Sequence, residues 1–166
     1  DMVDRSTRYI ACDYGTTNPC VFLDIYDDGE VIRVDREYRW DSRAEHRQKT
    51  DEEYADDFMV FMGDSWCAVY VDPSAASFIA ALRRRGVYVI EANNAVLDGI
   101  RRVGALFQRG LLLVHDTCTG LMDELGSYRW DDKAAARGEE KPVKQLDHAP
   151  DALRYFVNSL PDWRFE

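Results

Sequence analysis

The sequence has no apolar run long enough to cross a bilayer, so a membrane-spanning helix is not expected. Its first stretch, DMVDRSTRYIACDYG, also lacks the basic-then-apolar layout of a secretory signal. Cysteine is scarce and forms no CxxC pair, although three of the four residues stand in apolar, strand-like runs. We therefore expect buried, reduced thiols and a cytosolic setting for Cys12, Cys20, Cys67 and Cys118.

Two catalytic patterns are missing as well. The motif GxxxxGK[ST] is absent, which excludes a P-loop ATPase within this sequence, and the three histidines suggest no Ser-His-Asp spacing.

The formal net charge of −10 counts against a nucleic-acid binder, because such proteins are usually basic. The basic residues are unevenly placed, however, with clusters at 83–85 and at 133–144, so net charge alone does not decide the partner.

The remaining composition fits one globular domain. A chain of 166 residues can close a single substantial core. Hydrophobic residues make up 46% and charged residues 31%, which fits a folded chain better than a disordered one. No internal repeat, low-complexity tract or linker interrupts the sequence, so we expect residues 1–166 to form one domain.

Hydrophobic periodicity predicts alternating strands and helices. Strands are predicted at 8–13, 67–72, 87–90 and 111–114, and two β-rich runs around Asp27-Asp28-Gly29 predict a hairpin. Helices are predicted at 50–62, with Thr50 and Glu53 as a capping box, and at 73–86, 97–108, 117–125 and from about 149. The runs SYRWDD and KPVKQL predict a second, long hairpin. This order favours an α/β domain with a mixed sheet.

Two predicted strands end in an aspartate that a turn follows, Asp13 and Asp72. Ligands of open α/β sheets bind at the carboxyl ends of strands. Asp151 stands at the start of the last helix, and the three carboxylates converge if that helix packs beside the first strand. Three like charges need a cation, and Mg²⁺ or Mn²⁺ prefers carboxylate and water oxygens. We therefore predict a divalent metal site.

Each acid also has a simpler interpretation. Asp13 could cap a turn, Asp72 could cap the following helix, and Asp147 could be the N-cap of the last helix. His148 lies three residues before Asp151, so both can face the same side of a helical turn. Beside a metal it could bind the ion, orient a water or shuttle protons. The coincidence of two strand-end acids with a third at a helix start favours the metal site.

In this order, the elements and acids resemble the C-terminal nuclease domain of tailed-phage terminase large subunits. The resemblance extends from about Tyr9 to Leu160. Its most specific part is DALRY at 151–155, preceded by DH and by the hairpin SYRWDD…KPVK, whereas CDYGTTNPC is less specific but correctly placed. The resemblance implies an RNase H-like fold, which is a mixed β-sheet flanked by helices, with an additional β-hairpin before the C-terminal helix.

By position, the resemblance implies that Asp13, Asp72 and Asp151 bind two divalent ions, Mg²⁺ or Mn²⁺. It further implies an endonuclease that uses these ions to cleave concatemeric viral double-stranded DNA during genome packaging. His148 matches a histidine that some members place beside the third acid, and Asp147 matches an acid whose role stays open. Four basic residues on or near the second hairpin are predicted to contact the DNA backbone: Lys133, Arg137, Lys141 and Lys144. The alternative is a hairpin whose charges are merely solvated.

The resemblance also implies a larger assembly. In full-length terminases an ATPase motor precedes the nuclease domain, and the small terminase subunit and the portal are further partners. Because no motor is present in this sequence, we expect an excised nuclease domain that is monomeric by itself and has no membrane partner. Its expected location is the host-cell cytoplasm, at the viral procapsid during packaging.

Three other interpretations stay open. A Holliday-junction resolvase or another RNase H-like nuclease would use the same acids on different DNA. The stretch CDYGTTNPCVFLDI also resembles the first phosphate-binding segment of the actin, sugar-kinase and heat-shock-70 ATPases, but that family needs two such domains and a second phosphate loop. A non-catalytic protein-binding module is the third.

Overall fold

The computed structural model describes residues 4–15, 19–127 and 148–166. Its strands are β1 Thr7–Asp13, β2 Cys20–Asp27, β3 Ile32–Trp40, β4 Ala68–Val71, β5 Val89–Glu91 and β6 Leu112–Val114. They form one sheet in the order β5-β4-β1-β2-β3-β6. The pairs β1–β2 and β2–β3 are antiparallel, and β1–β4, β4–β5 and β3–β6 are parallel. The predicted mixed sheet is therefore confirmed.

The helices are α1 Ser42–Glu45, α2 Asp51–Met62, α3 Ala76–Arg84, α4 Val96–Gln108, α5 Thr119–Ser127 and α6 His148–Val157, followed by a short 3-10 helix at Asp162–Phe165. The predicted capping box begins α2. The Thr50 hydroxyl accepts a hydrogen bond from the Glu53 amide at 3.1 Å, and the Glu53 carboxylate accepts one from the Thr50 amide at 3.4 Å. The helix is thus fixed at its first turn.

The first hairpin also forms where the sequence predicts it, between β2 and β3. Asp28 Oδ1 accepts from the amides of Glu30 at 2.9 Å and Val31 at 2.7 Å, so the aspartate holds the turn together. Gly29 adopts a φ of 100°, which side-chain-bearing residues rarely reach. The hairpin supplies the central antiparallel strands, and β1 is their neighbour.

Side-chain alternation along the strands divides the interior into two cores. One core, which includes Ile10 and Cys12 of β1, packs against α2 and α3. The other includes Ala11 of β1 and packs against α4, α5 and α6. The last helix contributes three of the inward residues that its periodicity predicts, Leu153, Phe156 and Val157, and the fourth, Leu160, is buried just after the helix ends. This places α6 directly over β1 and β2.

Two predicted elements differ in detail. The strand predicted at 87–90 is shifted to β5, because the amide of Val87 bonds to the Leu82 carbonyl and completes the end of α3. The residues whose spacing predicts α4 are not those it buries. Leu97 and Phe107 are 40% and 39% exposed, while the helix packs through Gly99, Val103 and Leu106.

Other predictions concern the thiols and the second hairpin. All four cysteines are free, and three are buried as expected, but Cys67 is only half-buried. The second hairpin, predicted over 127–146, lies outside the described residues except for Ser127, which is the last residue of α5. Among the described helices, none has the length and apolar character needed to cross a membrane.

Candidate metal centre

Asp13 and Asp72 lie side by side at one edge of the sheet. Strands β1 and β4 are parallel, and Cys12 pairs with Val71, so the residues that follow this pair are neighbours. Alternation turns Asp13 to the same face as Ala11, and Asp72 to the same face as Tyr70. Both of those residues pack in the core under α6. The two carboxylates therefore face the last helix.

His148 begins α6 and meets the first of these acids. Its Nδ1 lies 3.2 Å from Asp13 Oδ2, and the two side chains are 20% and 17% exposed. The carboxylate of Glu124, from α5, accepts hydrogen bonds from the amides of His148 at 3.1 Å and Ala149 at 3.3 Å. Glu124 is 4% exposed and also pairs with Arg39. It closes the start of α6 and so fixes the position of His148.

Asp151 follows one turn later and is held by a buried cation. Its Oδ1 lies 3.1 Å from the guanidinium of Arg154, which is 4% exposed. The same guanidinium donates to the carbonyl oxygens of Asn94 at 2.7 Å and Ala95 at 3.1 Å, just before α4. Asp151 is thus tied to the loop between β5 and α4.

Asp72 is surrounded by hydrogen-bond donors. Its Oδ1 accepts from the Ser74 amide at 2.8 Å and its Oδ2 from the Asn94 side chain at 3.4 Å. Burial opposes ionisation of this carboxyl, but the hydrogen bonds from Ser74, Asn94 and the Tyr155 hydroxyl outweigh it and hold the pKa below its usual value. Asp72 is therefore a carboxylate at neutral pH. The Ser74 contact closes the turn after β4. Asp72 does not cap the following helix, as its simpler interpretation expected, because the N-cap of α3 is Ala75 and no side chain caps that helix.

Tyr155 connects the acids. It is 5% exposed, and burial raises the pKa of its hydroxyl, as do the negative charges of Asp13, Asp151 and Asp72. The phenol therefore stays protonated and remains a hydrogen-bond donor. The negative charges of all three acids thus act on one buried hydroxyl, and that hydroxyl donates to Asp72.

The donor chemistry of this edge fits a hard divalent cation, since it consists of three carboxylates and one imidazole. Within residues 4–15, 19–127 and 148–166, however, no three His, Cys, Asp or Glu side chains form a ready-made cage for an ion. The acids are instead held at one edge by Arg154, Tyr155 and the donors around Asp72. The residues thus fit a metal ion in their chemistry and share one edge of the sheet, but within the described part of the chain no three of them are grouped closely enough to hold an ion.

Sequence reasoning missed Glu124, Arg154 and Tyr155. The last two belong to the DALRY stretch, where an arginine within the apolar run of α6 was the available signal. Five predicted residues lie outside the described part of the chain and stay predictions: Lys133, Arg137, Lys141, Lys144 and Asp147.

Comparison with known proteins finds relatives among phage large terminases, although no family model matches. The chain is 34% identical over 99 residues to the terminase large subunit of Escherichia phage T5. The matched region covers 55% of this chain and 22% of that protein. It is 48% identical to the large terminase of a thermophilic bacteriophage, with a TM-score of 0.88 over 96% of this chain and 41% of that one. It thus spans less than half of either relative. The predicted resemblance to phage large terminases is confirmed.

Two more distant structures share the fold over most of their length. The P22 large terminase nuclease domain has a TM-score of 0.76 at 19% identity, covering 99% of this chain and 85% of that one. The large terminase nuclease of the thermophilic phage G20c with bound magnesium has a TM-score of 0.71 at 16% identity, covering 95% and 83%. At such identities the likeness shows the fold alone, and it confirms the predicted fold class.

Proposed function

We propose that this chain, a relative of phage large terminase subunits with the fold of their nuclease domains, is a metal-dependent endonuclease that cuts double-stranded DNA. The observation that carries the proposal is the meeting of Asp13 and Asp72, at neighbouring strand ends, with the helix that begins at His148 and bears Asp151. The magnesium bound to the G20c nuclease supports a divalent ion for a site on this fold.

Asp13, Asp72 and Asp151 would hold the metal, with His148 beside them. We propose two ions, Mg²⁺ or Mn²⁺, as in two-metal nucleases, where the DNA phosphate adds its negative charge to that of the carboxylates. A bound divalent ion polarises a phosphoryl group and supplies a nucleophilic water near neutral pH.

The protein's own residues orient this set. The contact with Asp13 fixes the ring of His148, so its other ring nitrogen can exchange a proton with a water. Tyr155 donates to Asp72, and Arg154 donates to Asp151, which limits the rotation of both carboxylates. Together these contacts keep the oxygens at the edge where a DNA phosphate can reach them.

The wider assignments are proposals of the same kind. We propose that the DNA is concatemeric viral DNA, cut during packaging at the procapsid in the host cytoplasm. An ATPase motor, a small terminase subunit and a portal would be the partners, and the domain alone would be monomeric. Lys133, Arg137, Lys141 and Lys144 would contact the DNA backbone. Replacing Lys141 and Lys144 by alanine should weaken DNA binding and flatten its salt dependence, whereas an unchanged slope would place the DNA elsewhere.

Plasmid cleavage by the purified chain tests the function. We expect nicking or linearisation with Mn²⁺ or Mg²⁺, and none with EDTA. Asp151→Asn should abolish cleavage, and it should also lower the metal-free melting temperature, because the buried guanidinium of Arg154 loses its ion-pair partner. Asp64→Asn is the matched control, since that acid is exposed and follows α2. Cleavage that survives chelation would contradict the proposal, and a preference for branched DNA would favour a resolvase.

A further inference from the structure

A buried positive charge lies among the acids of the candidate metal centre. Arg154 is 4% exposed, and its guanidinium contacts Asp151 at 3.1 Å. It also donates to the carbonyl oxygens of Asn94 and Ala95 at 2.7 and 3.1 Å. Burying a charge is costly unless it is paired and hydrogen-bonded, and these partners engage both terminal nitrogens of the guanidinium.

The contacts of Arg154 extend to a second acid. Asn94 accepts from Arg154 through its carbonyl oxygen and donates through its side chain to Asp72 Oδ2 at 3.4 Å. Asn158, one turn after Arg154, donates to the carbonyl oxygens of Asn93 at 2.9 Å and Ala95 at 3.0 Å. The loop between β5 and α4 is therefore held from α6 by two side chains. Asp151 and Asp72 are connected through this loop.

The neighbouring helix leaves room for this arginine. A Cβ atom added to Gly99 of α4 would lie 2.5 Å from Arg154 Cδ and closer still to Cγ. Real carbon atoms do not approach so closely, so a glycine at this position is what allows the arginine to cross α4. The stem of Arg154 is thus confined while its head group is hydrogen-bonded.

We propose that Arg154 is a positioning residue of the candidate metal centre, an internal counter-charge that holds Asp151, and through Asn94 also Asp72, in place when no cation is bound. Carboxylates that share a site repel one another, and one fixed positive charge reduces that repulsion. A metal ion then enters a set of acids that is already arranged. The inference rests on the proposed function only in treating Asp151 as a ligand.

A double-mutant cycle without metal tests the proposal. Urea unfolding in EDTA is measured for the wild type, Arg154→Met, Asp151→Asn and the double variant. If Arg154 acts as a counter-charge to Asp151, the urea midpoint lost on Arg154→Met should be at least halved in the Asp151→Asn background. An equal loss in both backgrounds would overturn the proposal, because a purely structural arginine does not depend on the charge of Asp151.

Arg164→Met is the matched control. Arg164 is also buried, pairs with Asp27 at 3.0 and 3.1 Å, and donates to the Glu30 carbonyl oxygen at 3.3 Å. Its loss of urea midpoint should be the same with and without Asp151→Asn. If the single variant Arg154→Met does not fold, cooperative urea unfolding of the double variant Arg154→Met/Asp151→Asn supports the proposal. If neither variant folds, the proposal is overturned.

Arg154→Lys adds a readout of charge. Lysine keeps the positive charge without the planar fork, so this variant should retain more of the urea midpoint than Arg154→Met. Equal losses would overturn the counter-charge role, and the proposal stands only if the cycle and this comparison agree. Neither experiment uses metal or DNA, so a chain that failed to cut plasmid would contradict the proposed function without deciding the role of Arg154.

Discussion

Replacing Gly99 by alanine perturbs the candidate site without touching any of its acids. The added Cβ would lie 2.5 Å from Cδ of Arg154 and 3.1 Å from the side-chain nitrogen of Asn158. The arginine cannot simply swing away, because its guanidinium is bonded to Asp151 and to two loop carbonyls. We therefore expect Gly99→Ala to displace Arg154, and Asp151 with it.

Two opposing effects set the size of the stability change. Overpacking a well-filled interior costs roughly 1–3 kcal/mol. Alanine is also a better helix former than glycine by about 1 kcal/mol, which offsets part of that cost. Gly104→Ala, in the same helix, gains the second effect alone, because a Cβ there meets nothing within 4 Å. The difference between the two variants therefore isolates the steric cost, roughly 1–3 kcal/mol.

Thermal unfolding without metal and plasmid cleavage with Mn²⁺ are the two assays. One kcal/mol corresponds to about 2–4 °C for a domain of this size, so the melting temperatures of the two variants should be clearly separated. Cleavage should slow in Gly99→Ala and stay at the wild-type rate in Gly104→Ala. If both substitutions raise the melting temperature alike, Arg154 is not confined and the reasoning is wrong.

Three further predictions follow from single contacts. Thr50→Ala removes the capping box of α2 and should lower the free energy of unfolding by about 1 kcal/mol in urea while cleavage is unchanged; no loss would contradict the cap. Burial raises the pKa of Cys67 to about 11, so its thiolate at pH 8 should be about 100-fold scarcer than that of an ordinary thiol. Its reaction with Ellman's reagent should accelerate about tenfold per pH unit, and fast labelling at pH 8 would contradict this. Tyr155→Phe removes a hydrogen-bond donor to Asp72, so the pKa of Asp72 should rise. The acidic limb of the pH–cleavage profile should then move to higher pH. An unmoved limb would show that the hydroxyl does not act on Asp72.

Local chemistry made much of the fold predictable. The Thr50–Glu53 capping box and the Asp28-Gly29 turn depend on residues a few positions apart, so their sequence patterns carry the structural information directly. The apolar runs that end in Asp13 and Asp72 likewise predict buried strands with an acid at the carboxyl end. Parallel pairing of these strands then brings the two acids together.

The parts that could not be predicted depend on which elements pack together. The hydrophobic pattern of α4 predicts a helix, but its buried face includes a contact between Gly99 and Arg154, which are far apart in sequence. In the sequence, Glu124 is an ordinary polar residue of a predicted helix. Its contacts with the first amides of α6 become evident only in the folded structure. An arginine in the apolar run of α6 and a glycine inside α4 are both unusual enough to indicate a special role. Neither pattern, however, predicts that these two residues contact each other.

A crystal structure determined from crystals grown with Mn²⁺ would show whether Asp13, Asp72 and Asp151 hold a metal ion, because anomalous scattering locates manganese independently of any assay. We expect a manganese peak within about 2–2.6 Å of carboxylate oxygens from Asp13, Asp72 and Asp151. Asp13→Asn, crystallised in the same way, should lose or weaken that peak, and Asp64→Asn should retain it. Manganese bound elsewhere, with none between these three acids at a saturating concentration, would contradict the account.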